Sequence, residues 1–225
     1  FTAFLMKIAF ACPASLPATQ FGGIMFLCID LARELSKIGH NVSIYTTDLD
    51  FANNPKTFNR DLPRQEIIDK FTINRSHVWF SFGLFFVNPG MYFQMMKDNP
   101  NIIHAIGVRS FQSYIAALVS QKKKIPLVIS DQGGLTTHPA LTHGNIIKKI
   151  LYKMQIPMIR FIINQATKIS VANEYERQIF LDFCEDSKIV IVRNGVNLEN
   201  INLNKSNFRE QYNIKEHFIL FCSHS

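Results

Sequence analysis

The spacing of apolar positions changes repeatedly along the chain, and each change marks an element. Met6 to Cys12 is apolar apart from Lys7, the pattern of a buried strand. Pro13 and Pro17 end it, because neither continues a central strand. After Gly22 and Gly23, the residues Ile24, Leu27, Cys28, Leu31, Ala32, Leu35 and Ile38 recur at helical spacing. Asp30, Arg33, Glu34 and Lys37 occupy the other face, and Gly39 supplies the C-terminal cap. Val42 to Thr46 is the next strand. Strand, glycine-bearing loop, helix and strand form the opening unit of an open parallel sheet.

The alternation continues. Asp48 to Gln65, with Pro55 and Pro63, reads as a polar surface loop, and Ile67 to Arg75 as one strand. Val78 to Met96 is uncharged and long enough to cross a bilayer, but Asn88, Pro89 and Gly90 break it. It reads as interior segments with a helix from Gly90 onward. A strand from Asn101 to Ile106 precedes a helix from about Ser110 to Gln121. That helix has Phe111, Tyr114, Ile115 and Leu118 inside and Gln112, Ser113 and Gln121 outside, and Lys122, Lys123 and Lys124 finish it as a solvated end. Ile125 to Ser130 is a strand. A long helix from Asn145 carries Ile147, Ile150, Leu151, Met154, Met158, Phe161 and Ile162 at core spacing, and Pro157 should kink it. Lys168 to Ala172 is a strand, Glu174 to Phe183 a helix and Lys188 to Val192 a strand. The expected class is α/β, a Rossmann-like, doubly wound and mainly parallel sheet.

From 198 onward the chain turns polar and asparagine-rich. A short helix near Phe208 to Tyr212 and an apolar strand from Phe218 to Cys222 follow. The expected organisation is a domain over 1–197, then a linker and the first elements of an incomplete second domain over 198–225. The last strand implies a second domain that continues beyond Ser225.

Composition adds limits. With 225 residues and 47% hydrophobic content the chain can bury a real core. Cys12, Cys28, Cys184 and Cys222 form no CxxC pair, so they read as buried, reduced thiols of a cytosolic protein. No signal peptide is legible at the start, and residues 1–5 precede a plausible start at Met6. His138 and His143 lack a matching carboxylate or cysteine and read as loop residues, which leaves no metal site. The net charge of +7 favours anionic partners, yet no recognised nucleic-acid module accompanies it. Lys148, Lys149, Lys153 and Arg160 make the outer side of the long helix basic, which suits either solvent or an anionic membrane surface.

Several segments, in order, carry a resemblance: the paired glycines, LARELSKIGHNV, YTTD, NIIHAIGVRSFQ, LVISDQGGL, ATKISVANEYERQIF, SKIVIVRNGVNLENI and FREQYNIKEHFILF. Together they resemble family-four glycosyltransferases of the GT-B architecture, and the likeness runs from Met6 to Phe221. The resemblance implies the N-terminal, acceptor-side half of a cytoplasmic enzyme, either free or peripheral to the membrane. Such an enzyme transfers sugar from a nucleotide-sugar to a glycan or lipid-linked acceptor with retention, without a metal or a permanently bound cofactor. The donor-binding half would be missing, so this chain alone should transfer little or no sugar.

The resemblance assigns Gly22 and Gly23 to the donor diphosphate, because glycine allows close backbone approach at a helix N-terminus; the alternative is a tight turn with no ligand. It makes His104 the first histidine of a family pair whose second position here is Ile106; the alternative is a packed, hydrogen-bonded histidine. Gln132 stands where many relatives carry a sugar-contacting histidine, and glutamine cannot shuttle a proton. Asp131 either orients the acceptor or caps the Gly133 and Gly134 turn. Arg109 is placed to grip an acceptor phosphate or carboxylate, or to form a surface ion pair. Glu174 either binds an acceptor hydroxyl or complements the helix dipole, as Glu176 does. Asn194 and Gly195 look like a hinge. Two other readings remain. One is a non-catalytic glycolipid or membrane-surface module. The other is a nucleotide-binding oxidoreductase with Asp48 as its ribose-binding acid, which lacks the G-x-G-x-x-G signature here.

Overall fold

A computed structural model describes residues 5–50, 57–135, 146–195, 210 and 212–216, with the side chains of 146–152 excepted. The chain divides into two compact units, Phe1–Asn194 and Gly195–Ser225. Of the second unit only Gly195, Glu210 and 212–216 are described, so the strand expected from Phe218 to Cys222 lies outside the described residues.

In the first unit the strands are β1 (Lys7–Ala11), β2 (Asn41–Thr47), β3 (Gln65–Ile68), β4 (Phe71–Ser76), β5 (Phe80–Phe82), β6 (Phe85–Val87), β7 (Ile102–Ile106), β8 (Leu127–Ser130), β9 (Lys168–Val171) and β10 (Ile189–Ile191). The helices, numbered in chain order, are α1 (Gly23–Lys37), α2 (Gly90–Lys97), α3 (Phe111–Lys123), α4 (Ile146–Gln165) and α5 (Glu174–Phe180). Eight strands form one sheet in the order β10-β9-β8-β7-β1-β2-β4-β3, parallel except for the β3–β4 pair. This is the doubly wound α/β class expected from the alternation of strands and helices.

The alternation of side chains along β1 divides the core between the two faces of the sheet. Ile8, Phe10 and Cys12 pack with Met25, Cys28, Ile29 and Ala32 of α1, whereas Ala9 and Ala11 join the cluster that holds Ala116 and Ala117 of α3 and Ile159, Ile162 and Ile163 of α4. Small residues on both sides of the second face let α3 approach the strands closely. The buried stripe of α1 is Met25, Cys28, Ile29, Ala32 and Ser36, turned slightly from the expected face, and Ile38 is exposed at the C-terminal cap. There the Gly39 amide donates to Ser36 and the His40 amide to Leu35, closing a Schellman motif.

Several expectations are corrected. The segment from Ile67 to Arg75 is a hairpin and not one strand. Asp69 and Lys70 both have positive φ, the type I′ geometry that reverses the chain between Ile68 and Phe71. Gln112 and Ser113, expected outside, are fully buried because α3 is covered by the sheet, by α4 and by the segment before α2. Gln112 donates to the Phe86 carbonyl and to Asn88 Oδ1. Met154, expected inside, is exposed on α4. The loop after β2 is partly internal, with Asp48, Leu49 and Thr57 buried. Finally, the segment from Val78 to Met96 is only half interior. Val78, Phe86, Val87, Met91 and Met95 are buried, but Trp79, Phe80, Phe82 and Leu84 are exposed.

Candidate functional site

The sheet grows from β1 in two directions, to β2 on one side and β7 on the other, so the crevice beyond the carboxyl ends of β1 and β7 is the switch point where such sheets take ligands. Gly22 and Gly23 lie on that edge. Gly22 is the N-cap of α1 with φ 94° and ψ −155°, a conformation essentially restricted to glycine. Its carbonyl accepts from the Met25 amide, and no side chain caps the helix. An added Cβ on either glycine would meet nothing within 4 Å. The start of this 15-residue helix is therefore an open, uncapped end whose amide groups and dipole suit an anion.

The next parallel strand brings Gly107, Val108 and Arg109 to the same edge, where Ser110 caps α3 by accepting from the Ser113 amide at 3.0 Å. Beyond β8, Asp131 is fully buried and acts as the brace of its loop. Its Oδ2 accepts from the Leu135 amide at 3.0 Å and its Oδ1 from the Val108 amide at 3.4 Å. Of the two roles open to Asp131, this geometry is the cap. Burial raises its carboxyl to about 6, against those amide bonds, and the nearby Glu176 charge adds to the rise. A Cβ on Gly134 would stand 2.7 Å from Asp131 Oδ1, so a residue without a side chain is needed there.

Arg109 spans the same region. Its Nε and Nη2 donate to Gln155 Oε1 at 3.1 and 2.7 Å, and its Nη1 donates to the Gly134 carbonyl at 3.4 Å. The guanidinium ties the β7 loop to the β8 loop and to α4. Gln132 meets Asn194, which donates to Gln132 Oε1 at 2.8 Å. Arg109, Asp131, Gln132 and Asn194 are thus brought together along one edge from three places in the sequence. Asn194 ends the first compact unit and Gly195 begins the second.

Other expected site residues stand apart. His104 does not end its strand but sits at the middle of β7, in register with Phe10 and Val128. Its ring lies 5.1 Å from the Phe10 ring, its Nε2 is 2.6 Å from Ser130 Oγ, and burial lowers its pKa to about 4. These are the surroundings of a packed, neutral histidine. Glu174 is held on the exposed start of α5 by Arg177 and Gln178, whose hydrogen bonds lower its pKa. Glu176 is the buried one of the two acids and accepts from the Ala172 amide at 2.7 Å. Lys153 and Arg160 are exposed, and Arg160 lies 5.7 Å from the centre of the Phe183 ring; the side chains of Lys148 and Lys149 lie outside the described residues, as do His138 and His143. Among the described residues no three His, Cys, Asp or Glu side chains are grouped to hold a metal.

Sequence reasoning did not find a chain of polar side chains at the ends of β2 and β4. Arg60 Nε donates to His77 Nε2 at 2.9 Å, which makes His77 Nδ1 the protonated nitrogen facing Asp48 Oδ2 at 2.5 Å. Asp48 Oδ1 also accepts from the Val78 amide. Asp48 is therefore committed to internal partners and is not the ribose-binding acid of an oxidoreductase. The partner His77 follows only once the hairpin is formed, and no spacing in the sequence announces it.

An open parallel α/β sheet with a glycine-capped helix at its switch point and polar loops along its carboxyl edge defines a Rossmann-like domain. The Glycosyltransferase Family 4 model matches residues 21–200, and the chain belongs to that family. A search of curated proteins gives no match. Among solved structures, Anabaena HepE in complex with UDP is similar over 92% of this chain and 50% of its own, with a TM-score of 0.60 at 15% identity. HepE in complex with UDP-glucose is similar over the same shares, with a TM-score of 0.57 at 15% identity. Sucrose-phosphate synthase from Thermosynechococcus elongatus is similar over 92% of this chain and 98% of its own, with a TM-score of 0.54 at 11% identity. The chain thus spans about half the length of the HepE structures. At these identities the likeness is one of fold. No helix among the described residues is long and apolar enough to cross a membrane.

Proposed function

We propose that this chain is the acceptor-side part of a retaining glycosyltransferase that takes sugar from a nucleotide-sugar and passes it to a glycan or lipid-linked acceptor. The observation that carries the reading is the uncapped, glycine-opened N-terminus of α1 at the switch point of a family-four domain. A diphosphate leaving group gains negative charge as the sugar departs, and fixed amide groups at a helix start stabilise it without rearranging. The complexes of HepE with UDP and UDP-glucose support a nucleotide-sugar as the donor class.

The loops from β7 and β8 then hold the acceptor. Arg109 and Asp131 shape this edge through Gly134 and Val108, and Gln132 contributes hydrogen bonding without proton transfer. The departing phosphate takes the acceptor's proton in a retaining step, so no general base is required of Gln132 or of the enclosed His104. Asn194 and Gly195 serve as the hinge between 1–197 and the linker over 198–225. The donor's remaining contacts would lie on a second domain, so the chain alone should transfer little or no sugar. Lys148, Lys149, Lys153 and Arg160 of α4, of which Lys153 and Arg160 are exposed, supply the basic charge for contact with an anionic membrane at its cytoplasmic side.

Amide spectra recorded during titration with UDP-glucose test the reading. The Gly23 and Ile24 amides should shift, and transfer by the chain alone should be undetectable. Shifts confined to other surfaces would overturn the diphosphate assignment. Turnover at the rate of an intact enzyme would overturn the need for a second domain.

A further inference from the structure

The β5–β6 hairpin is built as no core element would be. Residues 79–84 are all exposed, with Trp79 at 71%, Phe80 at 61%, Phe82 at 64% and Leu84 at 66% of their full exposure. Successive residues of a strand point to opposite faces, so exposure of every residue of β5 means that this strand stands clear of the body on both sides. A two-residue Gly83-Leu84 turn with Gly83 at φ 58° forms the tip, between Phe82 and Phe85.

The base of the hairpin is firmly held. Phe86 is buried against Phe21 and Phe58, the Phe85 ring packs edge-on to Phe111, and the Trp79 amide donates to the Val87 carbonyl at 2.8 Å. Gln112, fully buried in α3, donates to the Phe86 carbonyl at 2.9 Å and to Asn88 Oδ1 at 2.7 Å. Asn88 in turn donates to Ser76 Oγ at 2.8 Å. Buried amide bonds of this kind fix the hairpin on both sides of its junction with the body. The exposed tip is therefore presented from a fixed base, and contiguous apolar exposure marks an interaction surface.

Charge selects the occupant. From Lys70 to Lys97 the sequence contains no Asp or Glu, in a chain whose net charge is +7. A protein partner's apolar groove would be indifferent to that gap, whereas an anionic bilayer surface repels acids and attracts a chain of net positive charge. Trp is enriched at the headgroup level, with Phe and Leu deeper, and the hairpin has this arrangement: Trp79 towards its base, Phe82 and Leu84 at its tip.

We propose that the β5–β6 hairpin is a membrane-interface anchor, with Phe80, Phe82 and Leu84 entering the boundary between headgroups and acyl chains and Trp79 lying at the headgroup level. The hairpin leaves the sheet after the carboxyl end of β4, on the edge that also carries Gly22 and the β7 and β8 loops. The anchor deepens the membrane-side reading given above and rests on it for its biological setting, although vesicle binding is measured without any sugar transfer, so either can fail alone.

Trp79 is the only tryptophan in the chain and reports directly on the tip. The full chain is mixed with vesicles of phosphatidylcholine with and without phosphatidylglycerol, and with the same vesicles carrying lipids brominated near the headgroup. The expected result is co-flotation favoured by phosphatidylglycerol, a blue shift of Trp79 emission, and quenching by the brominated lipid. The combined variant Phe80→Ser, Phe82→Ser, Leu84→Ser should weaken partitioning at least about tenfold, since burying even one such side chain is worth about that factor. These side chains are exposed, so the variant should keep its circular dichroism and melting temperature; if it misfolds, quenching in the unaltered chain still decides. Co-flotation with Trp79 unshifted would place binding on another surface and overturn the anchor. So would failure to co-float with either lipid. A blue shift that depends on protein concentration without vesicles would show a second copy as the occupant instead.

Discussion

Gly22 and Gly23 look alike in the sequence, but the structure gives them different tasks. At Gly22 a side chain meets strain, because φ 94° with ψ −155° is closed to other residues. Gly22→Ala should lower unfolding stability by about 1–3 kcal/mol in urea titrations. At Gly23 an added methyl enters open space, so Gly23→Ala should move stability by no more than about 1 kcal/mol while weakening the amide response to UDP-glucose. Equal stability loss in both variants would contradict the assigned geometry.

Asp131 carries a pH signature. Its folded pKa of about 6 lies above the ordinary 3.8, so the folded chain holds that proton more tightly than the unfolded one. Stability from this group is full below about pH 4 and is lost as pH rises through 6, a change on the order of 3 kcal/mol. Asp131→Asn has no such titration. Unfolding free energies followed from pH 4 to 7 should fall in the unaltered chain relative to the Asn variant, and parallel profiles would refute the burial argument. That Asp131 follows β8 is legible in LVISDQGGL. Its enclosure is not, because the amides of Val108 and Leu135 converge on it only after β7 and β8 have paired.

Among the elements, the β3–β4 hairpin shows most directly how local pattern and fold diverge. Asp69-Lys70 lacks the usual glycine of a type I′ turn, so the apolar residues on either side read as one strand. Lys70 at φ 72° bears the strain of the left-handed region. Lys70→Gly should therefore stabilise the chain by about 1 kcal/mol in thermal or urea unfolding, and Asp69 would keep its 3.0 Å bond to Arg33 Nε. Helix α3 departs from its pattern for a different reason. Its polar residues suggest an outer face, but the core covers more of the helix than one stripe, and the Gln112 amide nitrogen donates there to the Phe86 carbonyl and Asn88 Oδ1. Periodicity assumes one buried side, and a helix between a sheet and other elements has more than one.

Arg75 acts across the whole molecule. It is almost fully buried in β4 and ties that strand to two other segments, donating to the Leu16 carbonyl at 2.7 Å, to the Pro63 carbonyl at 3.0 Å and to Glu66 at 2.6 Å. Arg75→Ala should lower stability by about 2–4 kcal/mol, because it leaves a cavity and two carbonyls without a donor. Recovery of most of that stability in Arg75→Lys would argue against a role for the planar fork, since a single ammonium cannot reach all three acceptors in the same geometry.

The order of strands and helices was determined by the sequence alone, because buried parallel strands need continuous apolar runs and each crossover helix needs an amphipathic stripe. The family was legible for a related reason: its marks lie in short segments such as the paired glycines and SDQGGL, which keep their order along the chain. Tertiary structure decided what the sequence leaves open. It placed His104 inside β7 against Phe10, gathered Arg109, Asp131, Gln132 and Asn194 on one edge, and pushed Trp79, Phe80, Phe82 and Leu84 outward although their composition reads as interior. Local pattern records how apolar a residue is and at what spacing it recurs. Which neighbours cover that residue depends on contacts between strands and loops far apart in the chain, and only the assembled sheet supplies them.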